Sequence, residues 1–285
     1  MATEQAQQMV CYRHPGTETA VTCSSCGRPI CTDCMVFAAV GIKCPECAGQ
    51  PTGVRKAATR ARASAGQGTG GIVTRAIIAA NVAVFLLQVS QGDLQGIRSE
   101  AFEKGALYGP LVADGEWWRL LTAGFLHVGP IHLLFNMLML WWFGSALEGM
   151  LGRARFLAIY LVSILAGSAG ALLLSPDTAT VGASAGVFGI LGAGLMLERR
   201  GIMVFGGGAL MVVLLNISLS FVITRISLGG HLGGLAGGML AILALTQFGR
   251  AHAAYGRVGV VGVAGLVAIV FASIAISYAR VRGYA

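Results

Sequence analysis

From residue 72 onward the chain is a succession of long apolar stretches separated by short polar segments. This pattern constrains the fold more than any other feature. A helix that crosses a bilayer needs about 20 mostly apolar residues, and only helices and closed barrels satisfy their own backbone groups there. Such stretches lie near 73–91, 131–147, 155–174, 183–198, 203–222, 230–248 and 257–278. Only 11% of the residues are charged and 55% are hydrophobic, against about 25% charged in a soluble domain. An all-α polytopic membrane protein in the cell membrane is therefore expected. The net charge of +8 is spread through loops and a linker. That distribution suits membrane topology rather than nucleic-acid binding.

The opening residues, MATEQAQQMV, have neither a basic nor an apolar region of the kind a cleaved signal carries. No signal peptide is expected, and the N-terminus is placed in the cytoplasm. With that start, Arg55, Lys56, Arg60, Arg62, Arg75, Arg153, Arg155, Arg199, Arg200, Arg250 and Arg257 fall on the cytoplasmic side. Arg98, Lys104, Arg119, Arg225, Arg280 and Arg282 fall on the other. The bias obeys the positive-inside rule and puts the C-terminus outside, with Arg280 and Arg282 a mild misfit.

All seven cysteines lie between Cys11 and Cys47. They form four pairs with two-residue gaps: Cys11 with His14, Cys23 with Cys26, Cys31 with Cys34, and Cys44 with Cys47. An odd number of clustered cysteines on the cytoplasmic side argues against disulfides. A two-residue gap lets both side chains of a pair grip one zinc ion, and four ligands complete a tetrahedron. Eight ligands imply two structural Zn2+ ions. A segment this short lacks the apolar core to fold without such staples. The spacing resembles B-box and RING-like fingers. That resemblance implies cross-bracing: Cys11, His14, Cys31 and Cys34 on one ion, Cys23, Cys26, Cys44 and Cys47 on the other. Sequential pairing is the competing arrangement. A docking or regulatory role with a cytoplasmic partner is expected for residues 1–48. Residues 49–71 read as a flexible basic linker suited to an anionic membrane surface.

In the apolar region, Ser184 lies in the first turn of the fourth span and His231 in the first turn of the sixth. His132 and Asn136 occupy the first two turns of the second. The deduced orientation starts all three spans on the same side of the membrane. Glycines at four-residue spacing, Gly230, Gly234 and Gly238, with Gly182, Gly186 and Gly189 in the fourth span, let helix backbones approach closely in lipid. Close packing of these spans would bring Ser184 to His231. A serine hydroxyl needs an adjacent base to become a nucleophile, and histidine is the usual one. No Asp or Glu follows Glu198, and none is expected deep in a span, so a Ser184–His231 dyad is expected rather than a triad. His132 and Asn136 share a helical face and are candidate oxyanion donors, although helix–helix hydrogen bonding would explain them equally. His127 is expected to hold the preceding loop. Trp117, Trp118 and Arg119 suit an interfacial segment.

These residues resemble the rhomboid family of intramembrane serine proteases. The carriers are Trp118-Arg119, His127, His132-x3-Asn136, Gly182-Ala183-Ser184 and His231-x2-Gly234-x3-Gly238, and the resemblance covers 72–248. It implies a six-helix core with an added seventh helix at 249–285, and a cavity open to the extracytoplasmic side. It also implies cleavage of single-span or polytopic membrane proteins near that face, with no cofactor for the chemistry. The loop at 92–130 would be the family's long first loop. Two positions depart from the family pattern. Ala185 stands where glycine usually follows the serine, so that a methyl is expected to crowd the oxyanion site. Gly230 stands where alanine often precedes the histidine. Three other classes would need different residues. An inactive rhomboid-like chaperone would have lost the serine or histidine. A transporter would carry intramembrane acids near mid-membrane. A zinc hydrolase would need an open metal position.

Overall fold

The computed structural model describes residues 9–37, 41–48, 71–222, 227–247 and 259–284. Two compact units divide the chain, Met1–Gly68 and Thr69–Ala285. The linker read at 49–71 lies outside the described residues except for Gly71, as do Arg225, Arg250 and Arg257.

The first unit holds two short antiparallel hairpins. One pairs β1 (Met9–Val10) with β2 (Glu18–Thr19), and the other pairs β3 (Val36–Phe37) with β4 (Ile42–Lys43). Its buried hydrophobic cluster is Cys11, Cys23, Cys31, Cys34, Cys44 and Ile30. A core made of sulfur atoms and one isoleucine is far too small to offset the chain entropy of ordering the unit.

The second unit is helical. Its long elements are α1 (Ile72–Gln91), α5 (Gly129–Leu151), α6 (Arg153–Leu174), α9 (Leu228–Gln247) and α10 (Val260–Val281). These five are long and apolar enough to cross a membrane, so this is a multi-pass membrane protein. Two apolar helices are shorter, α7 (Ser184–Glu198) and α8 (Ala209–Val222). At 1.5 Å per residue α7 is about 22 Å long, short of a hydrocarbon core of about 30 Å. The expected fifth span begins at 209 rather than 203. Gly206 and Gly207 have positive φ, and Glu198 ties the turn by accepting from the N–H groups of Phe205, Gly207 and Ala209 at 2.7–3.1 Å.

Between α1 and α5 the chain folds into α2 (Glu100–Gly105), α3 (Gly109–Ala113), α4 (Arg119–Thr122) and a 3-10 turn at Ala123–Phe125. Proline at the starts of α3 and α5 suits a first turn that has no use for its N–H. Within α5, residues Leu140–Gly144 form a π-helical turn. Gly152, at φ +81°, turns the chain between α5 and α6.

The bundle is apolar outside as well as inside. Leu134, Phe135, Trp141 and Trp142 of α5 are exposed, as are Met211, Leu214 and Leu215 of α8 and Phe271 of α10. In α1 the fully buried positions include Thr74, Asn81 and Gln88, seven apart on one face. Lipid is as apolar as leucine, so such helices associate through close packing and hydrogen bonds rather than through burial of apolar surface. Helix α5 also runs past its expected end to Leu151 and thereby contains Glu148, which is buried. It stands in the last turn of that helix rather than deep in the span. Its carboxylate accepts from Val73 N, Thr74 N and Thr74 Oγ1 at 2.8–3.0 Å, satisfying donors that every helix N-terminus leaves open.

Candidate functional site

Helix α7 is almost wholly buried from Gly186 through Leu195; α9 packs on it backbone to backbone, while Tyr160 and Ser163 of α6 cover Gly186 and Gly189. A Cβ on Gly234 would overlap the main chain of Ala185, and one on Gly238 would overlap the main chain of Gly189. The α9 backbone therefore lies directly against the first turns of α7. Gly167 of α6 lies where a Cβ would meet both the Ala185 methyl and the Gly230 carbonyl. The three helices thus meet through glycine beside Ser184 and His231.

That contact gives the Ala185 methyl a place on α6. It fills the hollow left by Gly167 and stays on the packing side of α7.

Ser184 is the first residue of α7 and is half-buried, while His231 lies in the first turn of α9 and is buried. The His231 ring stacks on Phe188, with centroids 4.1 Å apart and planes 21° from parallel. Phe188 is four residues after Ser184 and so shares its helical face. Sequence reasoning missed Phe188, although its i+4 spacing from the serine was the available signal. His132, in the first turn of α5, points at the approach to Ser184. A Cβ placed on Gly182 would sit 2.9 Å from His132 Nε2 and 3.6 Å from Ser184 Oγ. Gly182 has φ +129°, so a side chain there would be strained as well as in the way. His132 Nδ1 makes a long 3.5 Å contact with the Val128 N–H. As an acceptor, Nδ1 leaves the proton on Nε2, the nitrogen facing Gly182 and Ser184. Asn136 is buried, and its Nδ2 donates to the His132 carbonyl at 3.0 Å.

The loop before Ser184 is laced to the segment between α1 and α5. Leu107 and Thr180 exchange backbone hydrogen bonds at 3.1 and 2.9 Å, Gly109 N donates to Pro176 O, and Gly182 N donates to Ala123 O. Ser168 of α6 holds the Leu120 carbonyl at 2.7 Å. Arg119 is buried, pairs with Glu116 and donates to the Ala106 carbonyl, while Trp118 Nε1 donates to the Lys104 carbonyl. These two residues organise the segment. His127 is clamped through its main chain by Gln88, which donates to its carbonyl and accepts from its N–H, and its ring lies edge-on to His132 at 5.1 Å. Gln88 too was missed. A polar residue at each seventh position of α1 was the signal.

In the N-terminal unit the eight metal-ligand candidates come together as two groups, Cys11, His14, Cys31, Cys34 and Cys23, Cys26, Cys44, Cys47, with ligand atoms within 4.8 Å of one another in each. Tight turns set each pair: His14 N donates to Cys11 O, Gly27 N to Cys23 O, Cys34 N to Cys31 O, and Ala48 N to Cys44 O. His14 Nδ1 lies 3.1, 3.5 and 3.9 Å from the sulfurs of Cys31, Cys34 and Cys11. Cys26 and Cys44 sulfurs are 3.7 Å apart. Tetrahedral zinc with Zn–S near 2.3 Å requires sulfur–sulfur edges of about 3.8 Å. The separations fit a shared cation and are far from a disulfide bond. Both groups can coordinate a metal ion.

The rhomboid-domain profile matches residues 114–248. The chain is 42% identical over 141 residues to the putative rhomboid protease YdcA of Bacillus subtilis, which is 48% of this chain and 71% of that protein. It belongs to the rhomboid family. Over 165 residues it is 41% identical to rhomboid protease GluP of Bacillus subtilis, 56% of this chain and 32% of that one. Over 158 residues it is 36% identical to RHOMBOID-like protein 7 of Arabidopsis thaliana, 52% of this chain and 49% of that protein. The chain thus spans less than two thirds of the length of the latter two rhomboid relatives.

Proposed function

We propose that the chain is an intramembrane serine endopeptidase acting through a Ser184–His231 dyad. The observation that carries this reading is the His231 ring stacked on Phe188, one turn past Ser184 on the same helix face, where α9 lies against α7 through glycine. His231 accepts the Ser184 proton as Oγ attacks the scissile carbonyl, then returns it to the leaving amine as the C–N bond breaks. Water cleaves the acyl-enzyme with the same histidine as base. His132 Nε2–H and the Ser184 backbone N–H hold the oxyanion. Asn136 steadies the His132 carbonyl with one amide hydrogen and offers the other to the site. No cofactor enters the chemistry.

In this reading the helices form a six-span core with α10 as a seventh span, the N-terminus is cytoplasmic and the C-terminus extracytoplasmic. The short α7 starts below the membrane surface, which recesses Ser184 beneath the extracytoplasmic face. Substrates are single-span or polytopic membrane proteins cleaved near that face. Each cysteine group binds one structural Zn2+, in a B-box-like cross-braced module that docks a cytoplasmic partner.

The test is cleavage of a single-span reporter by purified protein in liposomes. Wild type is expected to cut, and Ser184→Ala and His231→Ala are expected to abolish it. Equal cleavage by Ser184→Ala would overturn the dyad. A reporter that binds and is never cut would favour a chaperone.

A further inference from the structure

Arg28 is the one basic side chain reaching a cysteine group among the hydrogen bonds described for the N-terminal unit. Its Nε donates to Cys26 Sγ at 3.3 Å and its Nη2 donates to Cys44 Sγ at 3.6 Å. Those sulfurs come from different ligand pairs, 18 residues apart. The guanidinium is held from two further directions. It lies over the Tyr12 ring, 4.5 Å from the centroid, and pairs with Glu46 at 3.5 Å. Tyr12 in turn donates its hydroxyl to Glu46. Tyr12 follows Cys11, a member of the other group, and Glu46 stands between Cys44 and Cys47.

The two groups differ in charge. Three thiolates and a neutral imidazole around a divalent cation sum to −1, and four thiolates sum to −2. The second arrangement has the greater need for an outside donor, and Arg28 serves that group. A planar guanidinium with several N–H donors can bond two sulfurs at once, which a lysine ammonium does less well. Outer-shell donors of this kind orient ligands and typically alter metal affinity 10–100-fold when removed.

We propose that Arg28 is a positioning residue for the all-cysteine metal site, fixing the Cys26 and Cys44 thiolates from outside the coordination sphere, with Tyr12 and Glu46 clasping it in place. The inference rests on the reading that both groups bind a divalent metal. It makes the two sites unequal in a defined way, since the all-cysteine ion depends on Arg28 and the histidine-containing ion does not.

The experiment uses the full chain in detergent micelles loaded with Co2+. Four-thiolate and three-thiolate-one-imidazole cobalt sites differ in their visible bands, so each ion can be followed separately during competition with a chelator. Wild type is expected to hold two ions. Arg28→Gln should lose the four-thiolate ion at roughly 10–100-fold lower chelator concentration and shift its thiolate-to-cobalt charge-transfer band, with the other ion unmoved. Arg28→Lys should weaken the same ion by less. Unchanged release in both variants would overturn the proposal. So would equal weakening of both ions in Arg28→Lys, which would mark a general folding role. Wild type binding no ion would sink the metal reading itself, a result distinct from either.

Discussion

Glu148 near the end of α5 and Thr74 in the first turn of α1 are joined by two hydrogen bonds of 2.8 Å, one from the Thr74 backbone and one from its hydroxyl. A third comes from Val73 N at 3.0 Å. Hydrogen bonds to a charged group are worth about 1.5–3 kcal/mol, and in lipid they take over part of what apolar burial does in water. Glu148→Ala is expected to destabilise the bundle by about 2–4 kcal/mol, read as a lower unfolding midpoint in detergent. Exposed Glu103 makes the control, with Glu103→Gln expected within about 0.5 kcal/mol of wild type. Equal midpoints for both variants would show that the α1–α5 tie contributes nothing.

The hollow at Gly167 and the methyl of Ala185 are complementary, so their substitutions should couple. Gly167→Ala puts two methyl groups in one place and also approaches the Gly230 carbonyl. We expect it to push α6 from α7 and cut reporter cleavage at least 10-fold. Ala185→Gly alone should leave cleavage within about 2-fold. The double variant should recover part of the loss and not all, because the Gly230 carbonyl still crowds residue 167. Purely additive effects across the cycle would mean that the two sites do not share a cavity.

How much of this was legible in the sequence follows from which forces leave a local pattern. The placing of Ser184 at the start of α7 and of His231 in the first turn of α9 could be read because an apolar stretch and a glycine run bound each. The cysteine pairs were visible because metal ligands come in spaced pairs, whereas which pairs come together was implied only by the resemblance to cross-braced fingers. The short length of α7 was legible as well, because Glu198, Arg199 and Arg200 end its apolar run; the later start of α8 was hidden, since it depends on the Gly206-Gly207 turn and the Glu198 tie. The partner of Glu148 was hidden because a carboxylate at the edge of an apolar run looks like no more than the end of a helix. That carboxylate is in fact a cap for a helix 75 positions earlier. The destination of the Ala185 methyl depended on a glycine in another helix, which one chain segment cannot reveal.

Metal removal should expose the N-terminal unit. Its buried core is five cysteines and Ile30, so without an ion little remains to hold it. Prolonged chelation should raise the number of thiols reacting rapidly with a maleimide from near zero to the full seven cysteines of the chain, and re-adding Zn2+ should restore protection. Unfolding that tracks metal loss is the behaviour of small metal-stapled units. Rapid reaction of all seven before chelation would show that no ion is bound.

The end of α10 is a brace for the loop that presents Ser184. Val281 is buried with Leu107, Val112 and Leu120, and Tyr278 lies against Trp117 with ring centroids 6.2 Å apart. The segment they press on supplies the Leu107–Thr180 exchange and the Ala123 carbonyl that receives Gly182 N. An aspartate at 281 would place an unpaired charge in that apolar cluster, at a cost of several kcal/mol. Val281→Asp should therefore loosen residues 107–123 and 175–183 while leaving the α6–α7–α9 packing intact. Hydrogen exchange in micelles should rise in those two segments and hold steady in α7, and reporter cleavage should fall by about 10-fold or more. Arg282→Ala, one position on and exposed, should change neither. If exchange rises throughout the bundle, Val281 supports the whole fold. If cleavage falls with exchange unchanged, the helix acts on the substrate rather than on the loop.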